Sequence, residues 1–343
     1  MKIAVIALTR GGKELADRIV AGLEGCESCE VIGGALAVIK RLWPLYDGLI
    51  CIMAAGIVVR AIAPLCRDKK TDPCVLVLDE KGQFVVSLLS GHLGGGNDLA
   101  RKVAAITGGV AVITTASDVT GHTALDLWAA ENNLRVQNPQ VMAGVAAKLV
   151  NEGEVSFFST QECARLPVDF KVVDAPALAD IILSHAAFDP LEHIGALALC
   201  PCNLYLGLGC NRGAKAADFE LAVTELCAQY HLDRRAIAGI ASIDLKADEA
   251  GLLQFASDNN LPIRFYGKDE LNRVEGISPS AAVMAATGAR GVAEPAAMLA
   301  ASDNTIPGQP GQLIVRKIKW KDVTAAVAEK KLTVMVQTPC SKG

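Results

Sequence analysis

The sequence predicts an α/β protein with mainly parallel sheets, and three observations predict it. Apolar residues make up 51% of the chain and aromatics only 4%, which suits sheets covered by helices better than an aromatic-rich sandwich. Short apolar runs alternate with segments of helical spacing, the pattern of strand–turn–helix units joined by right-handed crossovers. At 343 residues the chain is too long for one ordinary core.

The elements follow in order. Lys2 to Leu8 is a buried strand, Thr9 to Gly12 turns the chain, and Glu14 to Leu23 has helical spacing. Leu49 to Met53 is a second strand, followed by a helix from Ile57 to Ala63. Cys74 to Leu78 and Phe84 to Leu89 are strands joined at Glu80-Lys81-Gly82. A glycine-rich stretch leads into a helix from Asn97 to Thr107, a strand from Val110 to Thr114 and a helix from Thr123 to Asn132. From Leu134 to Leu199 the pattern is less regular, with a helix from Pro139 to Val150, a strand from Val155 to Ser159, and Pro167, Pro176 and Pro190 as punctuation.

The last third resumes the alternation. Asn203 to Leu206 is a strand, Gly207 to Gly213 a turn, and Ala217 to Tyr230 a helix. Ala236 to Ile243 is a strand ending at Asp244, followed by a helix around Glu249 to Asn259 and a strand from Pro262 to Tyr266. Leu313 to Lys317 and Val323 to Ala328 form a closing hairpin. The expected organisation is two Rossmann-like α/β domains, 1–133 and 201–330, joined by a smaller α/β middle region, 134–200, with a tail at 331–343. No fixed-period repeat and no long low-complexity linker interrupts it. Loops after parallel strands are expected to gather on one sheet edge, where open α/β sheets bind ligands.

Charge and cysteine content narrow the function. The net charge is -4 and no Lys/Arg block stands out, so nucleic acid is not an expected partner. Gly48 to Cys66 is nearly all apolar, but Arg60, Pro64 and the Ala54-Ala55-Gly56 turn break it, so no membrane span is expected. The first ten residues hold too short an apolar stretch for a signal peptide, so a cytoplasmic location is expected. The 11 cysteines then read as free, mostly buried thiols. Neither Cys26–Cys29 nor Cys200–Cys202–Cys210 has paired zinc-knuckle spacing, so no metal site is assigned.

The stretch Ser-Leu-Leu-Ser-Gly-His-Leu-Gly-Gly-Gly-Asn-Asp (87–98) is the main candidate site. Gly91 and Gly96 have P-loop spacing, but Asn97 and Asp98 stand where Lys and Ser/Thr would be needed, and a carboxylate there repels a triphosphate. A second turn, with Gly207, Gly209 and Gly213, is one residue too wide for a dinucleotide fingerprint, and Asp244 lies well beyond the usual ~20-residue spacing. What remains is a strand-to-helix turn. Gly91, Gly94, Gly95 and Gly96 let the backbone approach a ligand, and the first amides of the following helix offer donors to an anion. His92 is a candidate base, and Asn97 either caps the helix or donates to an oxyanion.

Further candidates are expected on the same edge. Arg60 interrupts an apolar helix after Gly56, and Arg67, Lys69 and Lys70 form a basic cluster beside Asp68 and Asp72. Thr114, Thr115, Ser117 and Asp118 end the last strand of the first domain, placed either to bind a ligand or to cap the next helix. In the last third, Arg212, Asp244 and Lys246 form either a second anion-facing edge or surface ion pairs. Gly-x-Ser-x-Gly is absent, so if the protein is a hydrolase, activated water is favoured over a covalent nucleophile.

Three stretches in order carry a specific resemblance: Gly-Ile-Val-Val-Arg-Ala-Ile-Ala-Pro (56–64) running into Asp-Lys-Lys-Thr-Asp-Pro (68–73); Leu-Leu-Ser-Gly-His-Leu-Gly-Gly-Gly-Asn (88–97); and Gly-Leu-Gly-Cys-Asn-Arg-Gly (207–213) with Ala-Ser-Ile-Asp-Leu-Lys-Ala-Asp-Glu (241–249). With Gly-Val-Ala-Glu-Pro-Ala-Ala (291–297), these make the chain resemble the CbiG family of cobalamin-biosynthesis proteins over nearly its whole length; the C-terminal part resembles CobE. The resemblance implies cobalt-precorrin-5A hydrolase activity in the anaerobic route to vitamin B12. That reaction opens the ring A δ-lactone and releases acetaldehyde to give cobalt-precorrin-5B. It implies a cobalt-corrinoid substrate that carries its own metal, no separate cofactor, and neighbouring cobalamin-pathway methyltransferases as partners; it allows a homodimer. His92 and Asn97 would then be catalytic, with Asp118 and Asp244 as reserve bases. Gly56, Arg60, Lys69, Lys70, Gly91, Gly94, Gly95, Gly96, Gly209, Arg212 and Lys246 would meet the substrate. The alternatives are a non-catalytic corrinoid-binding protein and, more remotely, a nicotinamide enzyme using the 207–213 turn.

Overall fold

The computed structural model describes the chain apart from residues 30, 32, 69, 70, 93, 162, 164, 190–193, 303–310 and 333–343. It is mixed α/β, with three sheets in which, taken together, parallel pairings outnumber antiparallel ones, in two compact units, Met1–Leu127 and Trp128–Thr338.

The first unit opens with β1 (Ile3–Ala7), buried along its whole length, and α1 (Arg10–Gly22), whose Thr9 cap accepts the Gly12 N–H at 3.1 Å. There follow β2 (Cys26–Cys29), α2 (Ala35–Leu42), β3 (Gly48–Ile52), α3 (Ala55–Ile62), β4 (Cys74–Leu78), β5 (Phe84–Leu89), α4 (Gly96–Thr107), β6 (Val110–Val112) and α5 (Ala116–Thr120), and the division between the units falls within α6 (Leu125–Glu131). The strands form one sheet in the order β2-β1-β3-β4-β5-β6. Successive strand residues alternate between its faces. Ile3, Val5, Ile50 and Leu76 pack with Leu15 and Ile19 of α1 and Leu99 and Val103 of α4. Ala4, Ile6, Leu49 and Val75 pack with Val38 and Ile39 of α2 and Val58 and Ile62 of α3. With both faces covered, the strands can be apolar throughout.

One pairing breaks the parallel rule. β4 and β5 are antiparallel, joined by a turn in which Asp79 accepts the Lys81 and Phe84 N–H groups at 2.9 and 2.7 Å. β6 pairs parallel with β5, so both run against β1, β3 and β4. Their C-terminal ends therefore reach the edge where β1, β3 and β4 begin. The expectation that the post-strand loops share an edge is corrected on this point. The loops after β1 and β3, and Gly56 in the first turn of α3, lie at one edge, and the loops after β5 and β6 at the other.

The second unit holds two sheets. β7 (Leu134–Val136), α7 (Met142–Glu152), β8 (Val155–Ser159), β9 (Phe170–Val172), β10 (Ile181–Leu183) and β11 (Leu197–Pro201) give the order β7-β11-β10-β8-β9, antiparallel only between β7 and β11. Then come β12 (Leu204–Cys210), α8 (Ala216–Gln229), β13 (Ile237–Ile243), α9 (Ala250–Asp258), β14 (Ile263–Tyr266), α10 (Lys268–Asn272), α11 (Ala281–Thr287), α12 (Ala293–Ala300), β15 (Gln312–Lys319) and β16 (Val323–Glu329), in the order β14-β13-β12-β16-β15. β15 and β16 form the expected hairpin, and β16 pairs antiparallel with β12.

Gly207 and Gly209 lie inside β12, and only the following residues turn, so the 207–213 stretch is not one loop. Their role is packing. A Cβ on Gly207 would overlap the Ala293 carbonyl oxygen and sit 2.7 Å from the Ala297 nitrogen, both on α12. A Cβ on Gly209 would lie 2.7 Å from Thr324 Oγ1 on β16. Gly207→Ala should therefore lower stability by about 2–3 kcal/mol, read as a lower denaturant midpoint at unchanged slope. An unchanged midpoint would mean α12 can lift off the sheet at no cost.

Candidate active site

β5 delivers the chain to the strand-start edge at Ser90, a non-glycine residue with φ 53°, whose hydroxyl donates to the Asp72 carbonyl at 3.1 Å. The glycines that follow are demanded by crowding. A Cβ on Gly91 would lie 2.5 Å from Asn97 Oδ1, and one on Gly94 2.6 Å from the Ser90 carbonyl oxygen. Gly95, at φ 75°, is the residue from which α4 starts.

The amides of this turn point inward. Gly95 donates to the His92 carbonyl at 2.9 Å, Gly96 to Ser90 at 3.2 Å, and Asn97 to Gly91 at 2.9 Å. The expectation that the first amides of the helix after Gly96 receive an anion is corrected for Asn97, whose N–H, like those of Gly95 and Gly96 before it, already donates within the turn. The side-chain roles expected of Asn97 are corrected as well. It is buried, and its side-chain nitrogen donates to Thr115 Oγ1 at 3.1 Å and Asp118 Oδ2 at 2.8 Å. It neither caps α4 nor keeps an N–H for an oxyanion.

His92 is held between two carboxylates. Its Nε2 lies 2.8 Å from Asp118 Oδ2 and 3.2 Å from Ser117 Oγ, and its Nδ1 lies 3.5 Å from Asp126 Oδ1. The Asp126 carboxylate, and then Asp118, raise the imidazole pKa above its ordinary value, against the opposing effect of burial. Asp118 binds the group together. Its Oδ1 accepts from Arg101 at 2.5 Å, while its Oδ2 faces His92 and Asn97. Burial works against its charge, but the bonds from Arg101, His92 and Asn97 prevail and hold its carboxyl below the usual range. Asp118 is thus the ionised anchor of His92 rather than a free base. Arg101 follows Asn97 by one helical turn on α4, so one helix face supplies both donors.

Two family models match the chain, "Cobalamin synthesis G N-terminal" over residues 37–118 and "Cobalamin synthesis G C-terminus" over residues 204–328. The chain is 33% identical over 360 residues to a cobalt-precorrin-5A hydrolase of Priestia megaterium, covering 95% of this chain and 94% of that protein. The chain belongs to the CbiG family. It is also 34% identical over 354 residues to the cobalt-precorrin-5A hydrolase of Salmonella typhimurium, covering 94% and 96% of the two chains. A shorter match, 32% over 141 residues, joins 40% of the chain to 86% of protein CobE from a Sinorhizobium species.

The N-terminal CbiG segment takes in His92, Asn97, Arg101, Ser117 and Asp118, while Asp126 lies just beyond it. Arg101 and Asp126 were not legible as site residues. The one available signal was the i,i+4 spacing of Asn97 and Arg101. Gly56 and Arg60 belong to the opposite sheet edge. Arg60 is exposed, its guanidinium 3.5 Å from where a Gly56 Cβ would be. Lys69 and Lys70 lie outside the described residues.

The C-terminal CbiG segment holds the remaining candidates, and there too the charges are already paired. Arg212 donates to Asp248 Oδ1 at 2.5 Å and to the Leu245 carbonyl at 2.9 Å. Lys246 is buried with its Nζ 3.3 Å from Glu249 Oε2, and Glu249 Oε1 accepts the Gly213 N–H at 2.8 Å. Asp244 Oδ1 accepts the Leu245 N–H at 2.8 Å. Of the two readings of Arg212 and Lys246, the ion pairs are the ones present: Arg212 meets Asp248 and Glu249, and Lys246 meets Glu249. For His92, an NMR titration should give a pKa above the ordinary imidazole value, and Asp126→Asn should move it down. Equal values in the two proteins would mean the 3.5 Å contact carries no charge effect.

Proposed function

We propose that this CbiG chain is a cobalt-precorrin-5A hydrolase whose proton chemistry is centred on His92. The observation that carries the reading is similarity at about a third identity, over nearly the full length, to two proteins bearing that name. The His92 site supports it with a titratable group suited to such a reaction.

The steps balance without a resident cofactor, since the cobalt arrives within the substrate. Water adds to the lactone carbonyl, and the ring oxygen leaves as a hydroxyl on the two-carbon unit. Loss of that hydroxyl proton lets the carbon–carbon bond break. Its electron pair passes to the macrocycle, which takes up a proton, and acetaldehyde departs. One water is consumed and one acetaldehyde released. Neutral His92 donates its Nε2–H to Asp118 and accepts a proton at Nδ1, where Asp126 at 3.5 Å stabilises the imidazolium that results. Asp118, kept ionised by Arg101, fixes the ring without competing for the proton.

Purified protein given cobalt-precorrin-5A should release stoichiometric acetaldehyde, whereas a corrinoid carrier would bind the substrate and release none. His92→Ala should cost about 10²–10⁴-fold in turnover and leave substrate binding largely intact. Full turnover by that variant removes His92 from the mechanism. Because Asp126 and Asp118 raise the His92 pKa, the base form becomes the majority form at a higher pH than for an ordinary imidazole. The acid limb of kcat/KM should therefore have its midpoint above the ordinary imidazole value, and a midpoint below that value contradicts His92 as the base.

A further inference from the structure

At the edge where β1, β3 and β4 begin lies an open cleft of about 820 Å³, inside the ~300–1,000 Å³ range of small-molecule sites. Trp43 and Tyr46, following α2, line it with the prolines and leucines of the neighbouring loops, and so does Gly94 of the His92 turn. The cleft is thus contiguous with the loop that carries the catalytic candidate. It owes this to the β4–β5 reversal, which brings the end of β5 to this edge.

The charges in the cleft are unequally committed. The side chains of Lys40 and Arg67 are exposed and have no ion-pair or hydrogen-bond partner among the described residues. The two lining carboxylates are engaged by main-chain amides. Asp47 Oδ2 accepts the Lys2 N–H at 2.7 Å, and Asp72 Oδ2 accepts the Arg67 and Asp68 N–H groups at 2.7 and 3.1 Å. A ligand entering the cleft meets aromatic and aliphatic walls and two unpaired cations. That combination suits a flat apolar ring fringed with carboxylates.

We propose that this cleft binds one edge of a polycarboxylated tetrapyrrole, with Lys40 and Arg67 pairing its peripheral carboxylates and Trp43 lying against the ring. The identity of that tetrapyrrole rests on the hydrolase reading above. Both cations matter because a single exposed ion pair contributes little, whereas two on one rigid ligand act together.

The probe is cobyrinic acid, a cobalt corrin with free acetate and propionate groups, followed by quenching of tryptophan fluorescence. The parent protein should bind it, Trp43→Phe should lose most of the quench, and Lys40→Glu/Arg67→Glu should raise Kd about tenfold or more. In turnover, the double substitution should act mainly through KM. An unchanged Kd in the double variant, or a quench retained in Trp43→Phe, overturns the proposal. Normal turnover with an unchanged KM in the double variant removes the cleft and leaves the hydrolase reading standing. Lys40- and Arg67-dependent binding with no acetaldehyde released has the opposite meaning: the cleft stands and the hydrolase reading falls.

Discussion

The reversal of β5 against β4 decides where the chemistry of the first unit can sit. In a wholly parallel sheet, every post-strand loop would lie at one edge and every pre-strand loop at the other. Here a tight turn organised by Asp79 sends β5 and β6 the other way. Two loops that follow strands, those with His92 and Asp118, thereby share an edge with the loops that precede β3 and β4. The histidine turn is consequently tied to the Asp72 loop through Ser90.

Within that frame, Asp118 is the electrostatic centre. It takes donors from α4 through Asn97 and Arg101, and from the β5–α4 turn through His92. A carboxylate partly removed from water needs such compensation to stay ionised. Its partners also need it. Without Asp118, Arg101 would keep only part of its pairing, and Asn97 would lose one of its acceptors. The histidine sits with an anion on each ring nitrogen, so it can hold or pass a proton without changing orientation.

Much of the architecture was legible in the residues, for identifiable reasons. β1, β3 and β4 are five-residue apolar runs because both sheet faces are covered, and α1 and α4 show helical spacing. Helix α2 is legible by the same rule, with Ala35, Val38, Ile39 and Leu42 buried, although the sequence reading places no element there. The three-residue strands β7, β9 and β10 are too short for any period to register. β2 is a polar edge strand, and α12 carries Pro295 near its start, where a helix tolerates proline but a sequence reading sees a breaker. In the site, the residue types at His92 and Asp118 were informative. Their partners were not, because pairings across the fold leave no local pattern. The glycines misled twice: those near His92 relieve crowding and turn their amides inward, and those at 207 and 209 admit a helix and a strand.

The inward turn of the amides around Gly95 bears on the thermodynamics of ligand capture. A turn whose Gly95, Gly96 and Asn97 amides are already bonded within it keeps its shape in the empty protein, so the imidazole is pre-placed and little ordering entropy is lost there when a ligand arrives. The adaptation needed to grip a large, irregular guest is left to long surface side chains, which can reorient without disturbing the sheet beneath.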